Sequence, residues 1–185
     1  MIQLLRVDSS DKQLLFNWRN QASVNQWMFT NHLISETEHG AWFGNMIADA
    51  SKVYWKIVVD GVAAGVVFFT GISKLGKECS FGMYLADEDV RGKGVAQAAC
   101  VLSFHFAFTV LAVEVVKCEA VAQNEIAIAL YESVGFVCTG LQVDAVMRGD
   151  EMLSVVTLEL TRESWNTTKS QVLQKLHKKG VNING

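Results

Sequence analysis

The chain has 185 residues, of which 50% are hydrophobic and 19% are charged, so it can bury one sizeable core and leaves little for a second domain. Its 16 basic and 19 acidic residues give a formal net charge of -3. Nucleic-acid-binding domains usually carry a basic surplus, so this balance argues against a nucleic-acid partner.

The first third of the sequence predicts one strand followed by two helices. Residues 2–7 have the composition of a short strand, residues 10–13 have the spacing of a capping box, and residues 35–38 form a second capping box. The first helix carries Leu14, Leu15 and Trp18, and the second has Ala41, Trp42 and Ile47 available for burial.

The middle of the sequence predicts a hairpin, a third strand and a buried helix. Residues 53–59 and 62–69 are rich in β-branched and aromatic residues, and the Asp-Gly dipeptide at 60–61 is a strong hairpin signal. Residues 78–85 continue as a strand. The helix that begins near Gly94 is apolar nearly all round, which is typical of a helix packed on a sheet.

The last third predicts a strand at residues 113–121, a helix at 124–134 with a C-cap at Gly135, and a closing pair of strands at 136–144 and 153–160. Apolar residues at helical spacing then predict a terminal helix, namely Trp165, Val172, Leu173 and Leu176. This order of elements indicates the α/β class, with one mixed sheet covered by helices rather than strictly alternating units.

A phosphate-binding loop is predicted where the buried helix begins. Gly92 and Gly94 remove side chains there, so an anion could approach backbone N–H groups that lack helical partners, and Arg91 and Lys93 favour the same anion. From the glycines alone, a flexible turn is the alternative. The chain lacks a Walker loop, and a dinucleotide fingerprint would require Gly or Ala where Gln97 stands, so a Rossmann dehydrogenase is only a distant alternative.

Two motifs together carry a family resemblance. The segment R-x-x-G-x-A at 91–96 and the segment N-x-x-A-x-x-L-Y-x-x-x-G-F at 124–136 resemble the two signatures of Gcn5-related N-acetyltransferases. The resemblance covers residues 1–160 as an acetyltransferase domain, with 161–185 as its helical tail.

The resemblance implies a mixed, mostly antiparallel and splayed sheet of about seven strands flanked by helices. It also implies acetyl-CoA as co-substrate, lying in the opening between the strand that ends at Leu85 and the strand that starts at Val113. The residues expected to contact acetyl-CoA are Met83, Tyr84, Leu85, Arg91, Gly92, Lys93, Gly94, Val95, Ala96, Asn124 and Tyr131.

Acetyl transfer needs a neutral amine and protonation of the departing thiolate. Tyr131 matches the family tyrosine near the CoA sulfur and is the expected proton donor, unless its hydroxyl only orders the helix. Glu119, in a largely apolar strand, could deprotonate the amine directly or through water; the alternative is an exposed residue beside Lys117. Asn124 could contact the cofactor, cap a helix, or do both.

The acceptor is expected between the first two helices. The segments W-R-N at 18–20, W-M-F at 27–29 and I-S-x-x-x-H at 34–39 resemble acetyltransferases of pseudaminic acid biosynthesis, which implies transfer to the 4-amino group of UDP-4-amino-4,6-dideoxy-N-acetyl-β-L-altrosamine. On this interpretation Arg19 and His39 contact the nucleotide phosphates or base, and Met28 and Phe29 pack on sugar or uracil. Two further residues border the same pocket, Ser73 and Lys74.

Three alternatives stay open for the acceptor region. The aromatic residues could simply form the core of an amphipathic helix pair. Ribosomal-protein N-terminal acetyltransferases share a similar W-R-N start, and a non-catalytic acyl-CoA-binding module would use the same cofactor loop. The sequence does not decide between a monomer and a homodimer.

The cysteines and the apolar segments predict the compartment. Cys79, Cys100, Cys118 and Cys138 form no C-x-x-C pair, so we expect buried thiols in a reducing compartment and no metal site. The amino terminus lacks a signal-peptide pattern, and polar residues interrupt the longest apolar stretch at 95–113. We therefore expect a cytoplasmic protein without a membrane partner.

Overall fold

The computed structural model describes residues 1–73 and 76–183. Its strands are β1 (Ile2–Arg6), β2 (Val53–Val59), β3 (Val62–Thr70), β4 (Glu78–Leu85), β5 (Val115–Val121), β6 (Val137–Arg148) and β7 (Glu151–Thr161). Its α-helices are α1 (Lys12–Arg19), α2 (Ala22–Asn25), α3 (Glu36–Ala48), α4 (Val95–Thr109), α5 (Glu125–Ser133) and α6 (Arg162–Lys178). Two short 3-10 helices lie at Ser9–Asp11 and Glu88–Val90.

The strands form one seven-stranded sheet in the order β1-β2-β3-β4-β5-β7-β6. Neighbouring strands are antiparallel except for β4 and β5, which run parallel. Helices pack on the sheet, so the predicted α/β architecture with a mixed, mostly antiparallel sheet is confirmed.

The hairpin of β2 and β3 formed as predicted. Asp60 and Gly61 both have positive φ, at 48° and 86°, which is the backbone of a two-residue turn that matches the twist of the strands. Between Ile57 and Val58 a β-bulge shifts the register of the hairpin by one residue, so Tyr54 lies opposite Phe68. Both residues line a large cavity on this face of the sheet.

Helix α4 is the centre of the larger core cluster. It is buried on most of its circumference, as its uniform apolarity predicted, and it packs between the sheet and α6. Helix α6 adds Trp165, Val172 and Leu176 to the same cluster. A smaller cluster on the other face of the sheet joins α1, α2 and α3 to β2, β3 and β4. The two clusters therefore cover opposite faces of one sheet.

The buried face of α3 differs from the prediction. The structure buries His39, Phe43 and Met46, which recur at helical spacing, whereas Trp42 and Ile47 are 42% and 46% exposed and Ala41 is exposed as well. Ser35 caps the helix through the N–H of Glu38, as expected from the capping-box pattern. The cap was predictable, but the face that meets the sheet depends on tertiary packing.

The cap before α1 and one cysteine also differ from the predictions. The Asp8 carboxylate accepts from the N–H of Ser10, and the N–H of Asp8 donates to the Asp11 carboxylate, so the capping box is at 8–11 and not at 10–13. Cys138 is exposed on β6, whereas the other three cysteines are buried as expected. In the described part of the chain, no helix is both long and apolar enough to span a membrane.

Candidate active site

A gap opens in the sheet between β4 and β5. The two strands pair only from Glu78 to Ser80, opposite Val115 to Lys117, although β4 continues to Leu85 and β5 to Val121. Beyond Lys117, β5 pairs with β7 alone, so the facing edge of β4 keeps backbone groups without a strand partner. A cavity of about 1500 Å³ passes through this gap.

The first turn of α4 lies at the cavity and offers unpaired donors. Gly94 is the N-cap, with φ of 83°, and its carbonyl accepts from the N–H of Ala98 at 2.9 Å. The preceding N–H groups of Val95, Ala96 and Gln97 have no acceptor among residues 1–73 and 76–183. Together with the helix dipole, they form a site for an anion such as a phosphate.

The two cationic residues of this loop differ in position. Arg91 lines the cavity, and its Nη2 donates to the carbonyl of Leu85 at 3.0 Å, while Nη1 lies 3.7 Å from the Glu88 carboxylate. Lys93 is exposed and is not among the described residues that line the cavity. Arg91 is thus the better placed of the two to meet an anion at the start of α4.

Tyr131 is buried on α5, and its ring contacts Phe81 and Phe136 at centroid distances of 5.9 Å and 5.6 Å. Its hydroxyl has no hydrogen-bond partner within the described ranges, and the residue lines the cavity. Burial is the main reason why the pKa of Tyr131 lies well above 10. At neutral pH the side chain is therefore a phenol that can donate its proton.

Glu119 lines the same cavity but is not buried. It lies exposed on β5 opposite Thr157 of β7, because the alternation of the strand turns Cys118 and Ala120 into the core and Glu119 away from it. Glu119 is therefore exposed and also lines the cavity. A carboxylate in this position has access to water as well as to the cavity.

Asn124 is the N-cap of α5, where its Oδ1 accepts from the N–H of Ala127 at 3.2 Å. The residue also lines the cavity. Its Nδ2 has no partner in the part of the chain that the structure describes, so this amide remains available as a donor.

A side-chain hydrogen bond between α4 and α5 was not predicted from the sequence. Gln97 Nε2 donates to Ser133 Oγ at 3.1 Å, and Ser133 donates to the carbonyl of Leu130 at 2.7 Å. Both side chains line the cavity, where they join the first turn of α4 to the end of α5. Ser133 lies inside the second sequence signature, which was the available signal.

Arg19 lies on the far side of the cavity, at the end of α1. Its Nη1 donates to Asn25 at 2.5 Å and its Nη2 to Thr30 at 2.6 Å. Burial lowers the pKa of Arg19, but a guanidinium keeps its charge at neutral pH. The cavity therefore has a fixed positive charge at this end.

His39 is buried beside the same wall. Its Nε2 contacts the carbonyl of Lys12 at 2.9 Å, and its ring lies against Phe16, Trp42 and Phe43. Desolvation lowers the pKa of His39, so the neutral ring donates from Nε2 and leaves Nδ1 as an acceptor. An acceptor suits an N–H of a base and does not suit a phosphate oxygen.

Aromatic side chains complete this wall. Met28 is half-buried and Phe29 is 37% exposed, and both line the cavity. Opposite them, Tyr54 is stacked on Phe68 with ring centroids 4.6 Å apart, and burial raises the pKa of Tyr54 to about 12. Sequence reasoning missed Tyr54 and Phe68, because the bulge between Ile57 and Val58 that brings them opposite each other cannot be inferred from the Asp-Gly turn.

The last two predicted acceptor residues are Ser73 and Lys74. Ser73 is exposed after β3 and is not among the described residues that line the cavity. Lys74 lies outside the described residues. In contrast, Met83, Tyr84 and Leu85 of β4 all line the cavity along the open strand edge.

Comparisons with known proteins agree with this geometry. Residues 2–137 match the family model described as an acetyltransferase (GNAT) domain. Acetyltransferase PseH of Campylobacter jejuni is 33% identical over 126 residues, which cover 68% of this chain and 76% of that protein. Spermidine N(1)-acetyltransferase of Escherichia coli is 27% identical over 139 residues, covering 75% and 74%.

Solved structures share the fold. Spermidine N-acetyltransferase from Vibrio cholerae, in complex with CoA and spermine, superimposes with a TM-score of 0.81 at 19% sequence identity. The match covers 89% of this chain and 98% of that chain.

Proposed function

The chain belongs to the GNAT family of acetyltransferases, and we propose that it transfers the acetyl group of acetyl-CoA to the 4-amino group of a UDP-linked amino-deoxy sugar. The candidate acceptor is UDP-4-amino-4,6-dideoxy-N-acetyl-β-L-altrosamine. One observation carries the proposal: a single cavity contains unpaired helix donors and the free Tyr131 hydroxyl at one end, and Arg19 with an aromatic wall at the other.

The residues at the first end fit acetyl-CoA. Unpaired N–H groups at Val95, Ala96 and Gln97 suit a pyrophosphate, and Arg91 adds a cation that can exchange its bond to Leu85 for a phosphate oxygen. The open edge of β4 offers backbone donors and acceptors to an amide-containing chain. We assign Asn124 Nδ2 to the same ligand.

The proton transfers are assigned to Tyr131 and Glu119. When bound, acetyl-CoA supplies an activated thioester, from which an amine displaces a thiolate. Tyr131 keeps its proton at neutral pH and donates it to the departing sulfur. Glu119, which is exposed at the cavity, accepts a proton from the acceptor ammonium through water. The amine is then neutral when it attacks.

The acceptor end favours a nucleotide sugar. Arg19 offers a guanidinium to a diphosphate, and Phe29 and Met28 offer apolar surfaces to a base or a sugar ring. His39 Nδ1 can accept from a base N–H. Each of these groups lies on the same cavity as Tyr131.

A polyamine is the second candidate acceptor. Three carboxylates line the cavity, those of Glu38, Glu119 and Glu159, and they would attract a polycation. The similarity to spermidine acetyltransferases also supports a polyamine acceptor. The charge of Arg19 opposes it, because a guanidinium at the wall repels an ammonium.

The test compares both acceptors at equal concentration. Thiol release from acetyl-CoA gives the rate, and mass spectrometry and NMR of the product show whether the 4-amino nitrogen is acetylated. Faster turnover of the UDP-sugar, with acetylation at that nitrogen, would support the proposal. Faster turnover of spermidine would establish the polyamine instead.

The Arg19→Met variant makes the comparison sharper. We expect it to raise the KM for the UDP-sugar and not for spermidine, since only the diphosphate uses the charge. Thr30→Val is the matched control, because it removes one contact of Arg19 and keeps the guanidinium. If Thr30→Val raises the KM as much as Arg19→Met, wall packing and not charge recognises the acceptor.

A further inference from the structure

The turn between β6 and β7 reaches across to the acceptor wall. Arg148, the last residue of β6, donates from Nη1 to the carbonyl of Gln26 at 2.6 Å, although the two residues are 122 positions apart in sequence. Its Nη2 donates to Glu151 at 2.8 Å, so both ends of the guanidinium are held. The Arg148 side chain is only 17% exposed, whereas that of Glu151 is 59% exposed.

The next residue of the turn makes a second close approach. Gly149 has φ of 63°, and a Cβ placed on it would lie 2.4 Å from the Nδ2 atom of Asn31. A side chain at Gly149 would therefore strain the backbone and displace Asn31. Two neighbouring residues of the turn thus contact one segment, residues 26–34, which we call the wall loop.

The wall loop contains no helix or strand, and a few polar contacts hold it. Asn20 bonds both the carbonyl and the N–H of Ile34, at 3.0 Å and 2.8 Å, and Asn25 Nδ2 donates to the carbonyl of Asn31 at 3.1 Å. These contacts come from α1, α2 and their connection, and His32 Nε2 also contacts the Glu38 carboxylate of α3 at 3.1 Å. The contact of Arg148 comes from the β6–β7 turn, which is distant in sequence from all of these elements.

The Gln26 carbonyl lies directly before the cavity-lining residues Trp27, Met28 and Phe29. A charged donor that fixes this carbonyl therefore limits how far those three side chains can move from the cavity. Hydrogen bonds from charged groups are among the stronger ones in proteins. A charged hydrogen bond thus joins the β6–β7 turn to the acceptor wall.

We propose that Arg148 is a positioning residue that holds the wall loop in the conformation that binds the acceptor. It does not line the cavity and acts through Gln26. This inference rests on the proposed function, because it assigns the acceptor to the end of the cavity that the wall loop lines.

The test compares three variants by steady-state kinetics. Arg148→Met removes the donors but keeps length, Arg148→Gln keeps an N–H donor without charge, and Met147→Gln changes a neighbouring side chain that is 72% exposed. We expect Arg148→Met to raise the acceptor KM about ten-fold, with kcat and the KM for acetyl-CoA within about two-fold of the parent. Arg148→Gln should recover part of the loss, and Met147→Gln should match the parent.

Hydrogen exchange gives a readout that does not require turnover. Amides of residues 27–33 should exchange faster in Arg148→Met than in Met147→Gln, while the α4 amides remain unchanged in both. If the parent turns over no amine, the proposed function fails, and the exchange experiment still decides whether Arg148 holds the loop. The inference would be overturned if residues 27–33 exchanged equally fast in Arg148→Met and Met147→Gln. It would also be overturned if Arg148→Met lowered kcat and raised both KM values by the same factor.

Discussion

The ring of Tyr131 meets the ring of Phe81 edge to face, with centroids 5.9 Å apart and an interplanar angle of 82°. Phe81 is the first residue of β4 beyond its pairing with β5, which ends at Ser80. The contact therefore joins the proposed proton donor to the point where the sheet splits. Phe81 of β4 thus helps to position the phenol at the point where the sheet splits.

Replacing Tyr131 with Phe should separate activity from stability. The ring contacts with Phe81 and Phe136 remain, so the fold should be kept. The hydroxyl has no hydrogen-bond partner among the described residues, so its loss should leave the melting temperature unchanged or raise it. Because the proton donor is gone, kcat should fall by about 100-fold. Thiol release and thermal unfolding measure the two effects.

Two outcomes would contradict this role. A kcat within a few fold of the parent would mean that another group or water protonates the sulfur. A lower melting temperature would mean that the hydroxyl orders the helix, which was the alternative from the sequence.

The glycines of the phosphate loop should differ in their tolerance of Ala. Gly92 and Gly94 have φ of 74° and 83°, so Ala at either position costs about 1 kcal/mol in backbone strain. At Gly92 the added Cβ meets open space, whereas at Gly94 it lies 3.2 Å from Leu176 and from Val181. Gly94→Ala should therefore lower the unfolding free energy more than Gly92→Ala, as measured by urea denaturation. If both variants lose the same free energy of unfolding, α6 can move away from the added methyl group without a loss of stability.

The sequence predicted the cofactor end of the site better than the acceptor end. The start of α4 and the segment around Tyr131 are local: turn glycines, an N-cap and a helix within about a dozen residues determine them. Both segments could therefore be predicted from short stretches of the sequence.

The acceptor end depends on contacts between distant segments. The face of α3 that buries His39 instead of Trp42, and the contact from Arg148 to Gln26, are set by packing of elements far apart in sequence. Periodicity indicates that a helix is amphipathic, but the sheet decides which side is buried when apolar residues occur on several sides. The exposure of Glu119 has a different origin, since it follows from the local alternation of β5, which the sequence analysis did not apply to this strand.

Stability should depend on pH through His39. Its pKa in the folded chain lies below the ordinary 6.5, so the unfolded chain binds the proton more readily. The stabilisation from the neutral ring is complete above about pH 6.5 and is lost as the pH falls through the folded pKa. Urea denaturation between about pH 7.5 and about pH 5.5 should therefore show a falling unfolding free energy.

Two variants isolate this effect. His39→Gln keeps a donor for the Lys12 carbonyl but does not titrate, so its pH dependence should be flatter than that of the parent. His105→Gln alters an exposed residue of α4 and should retain the parental slope. If both variants keep that slope, His39 does not carry the acid sensitivity.

A nearly buried ion pair should make a large contribution to the stability of the smaller helical layer. Lys56 Nζ of β2 lies 2.7 Å from Asp11 Oδ1, with side-chain exposures of 17% and 7%, and the other oxygen of Asp11 accepts from the N–H of Asp8. Asp11→Asn keeps an acceptor but leaves the ammonium of Lys56 without its counter-charge. We expect a loss of about 3 kcal/mol in the free energy of unfolding.

Replacing both members of the pair tests this reasoning. The double variant Asp11→Asn with Lys56→Met should be more stable than the sum of the two single losses implies, because no unpaired charge then remains. Lys52→Met is the control, since its ion pair with Asp49 is about twice as exposed on the lysine side, at 32%, and should cost less than about 1 kcal/mol. If the losses in the free energy of unfolding are strictly additive, the two side chains do not stabilise each other. In that case apolar packing alone holds α1 to β2.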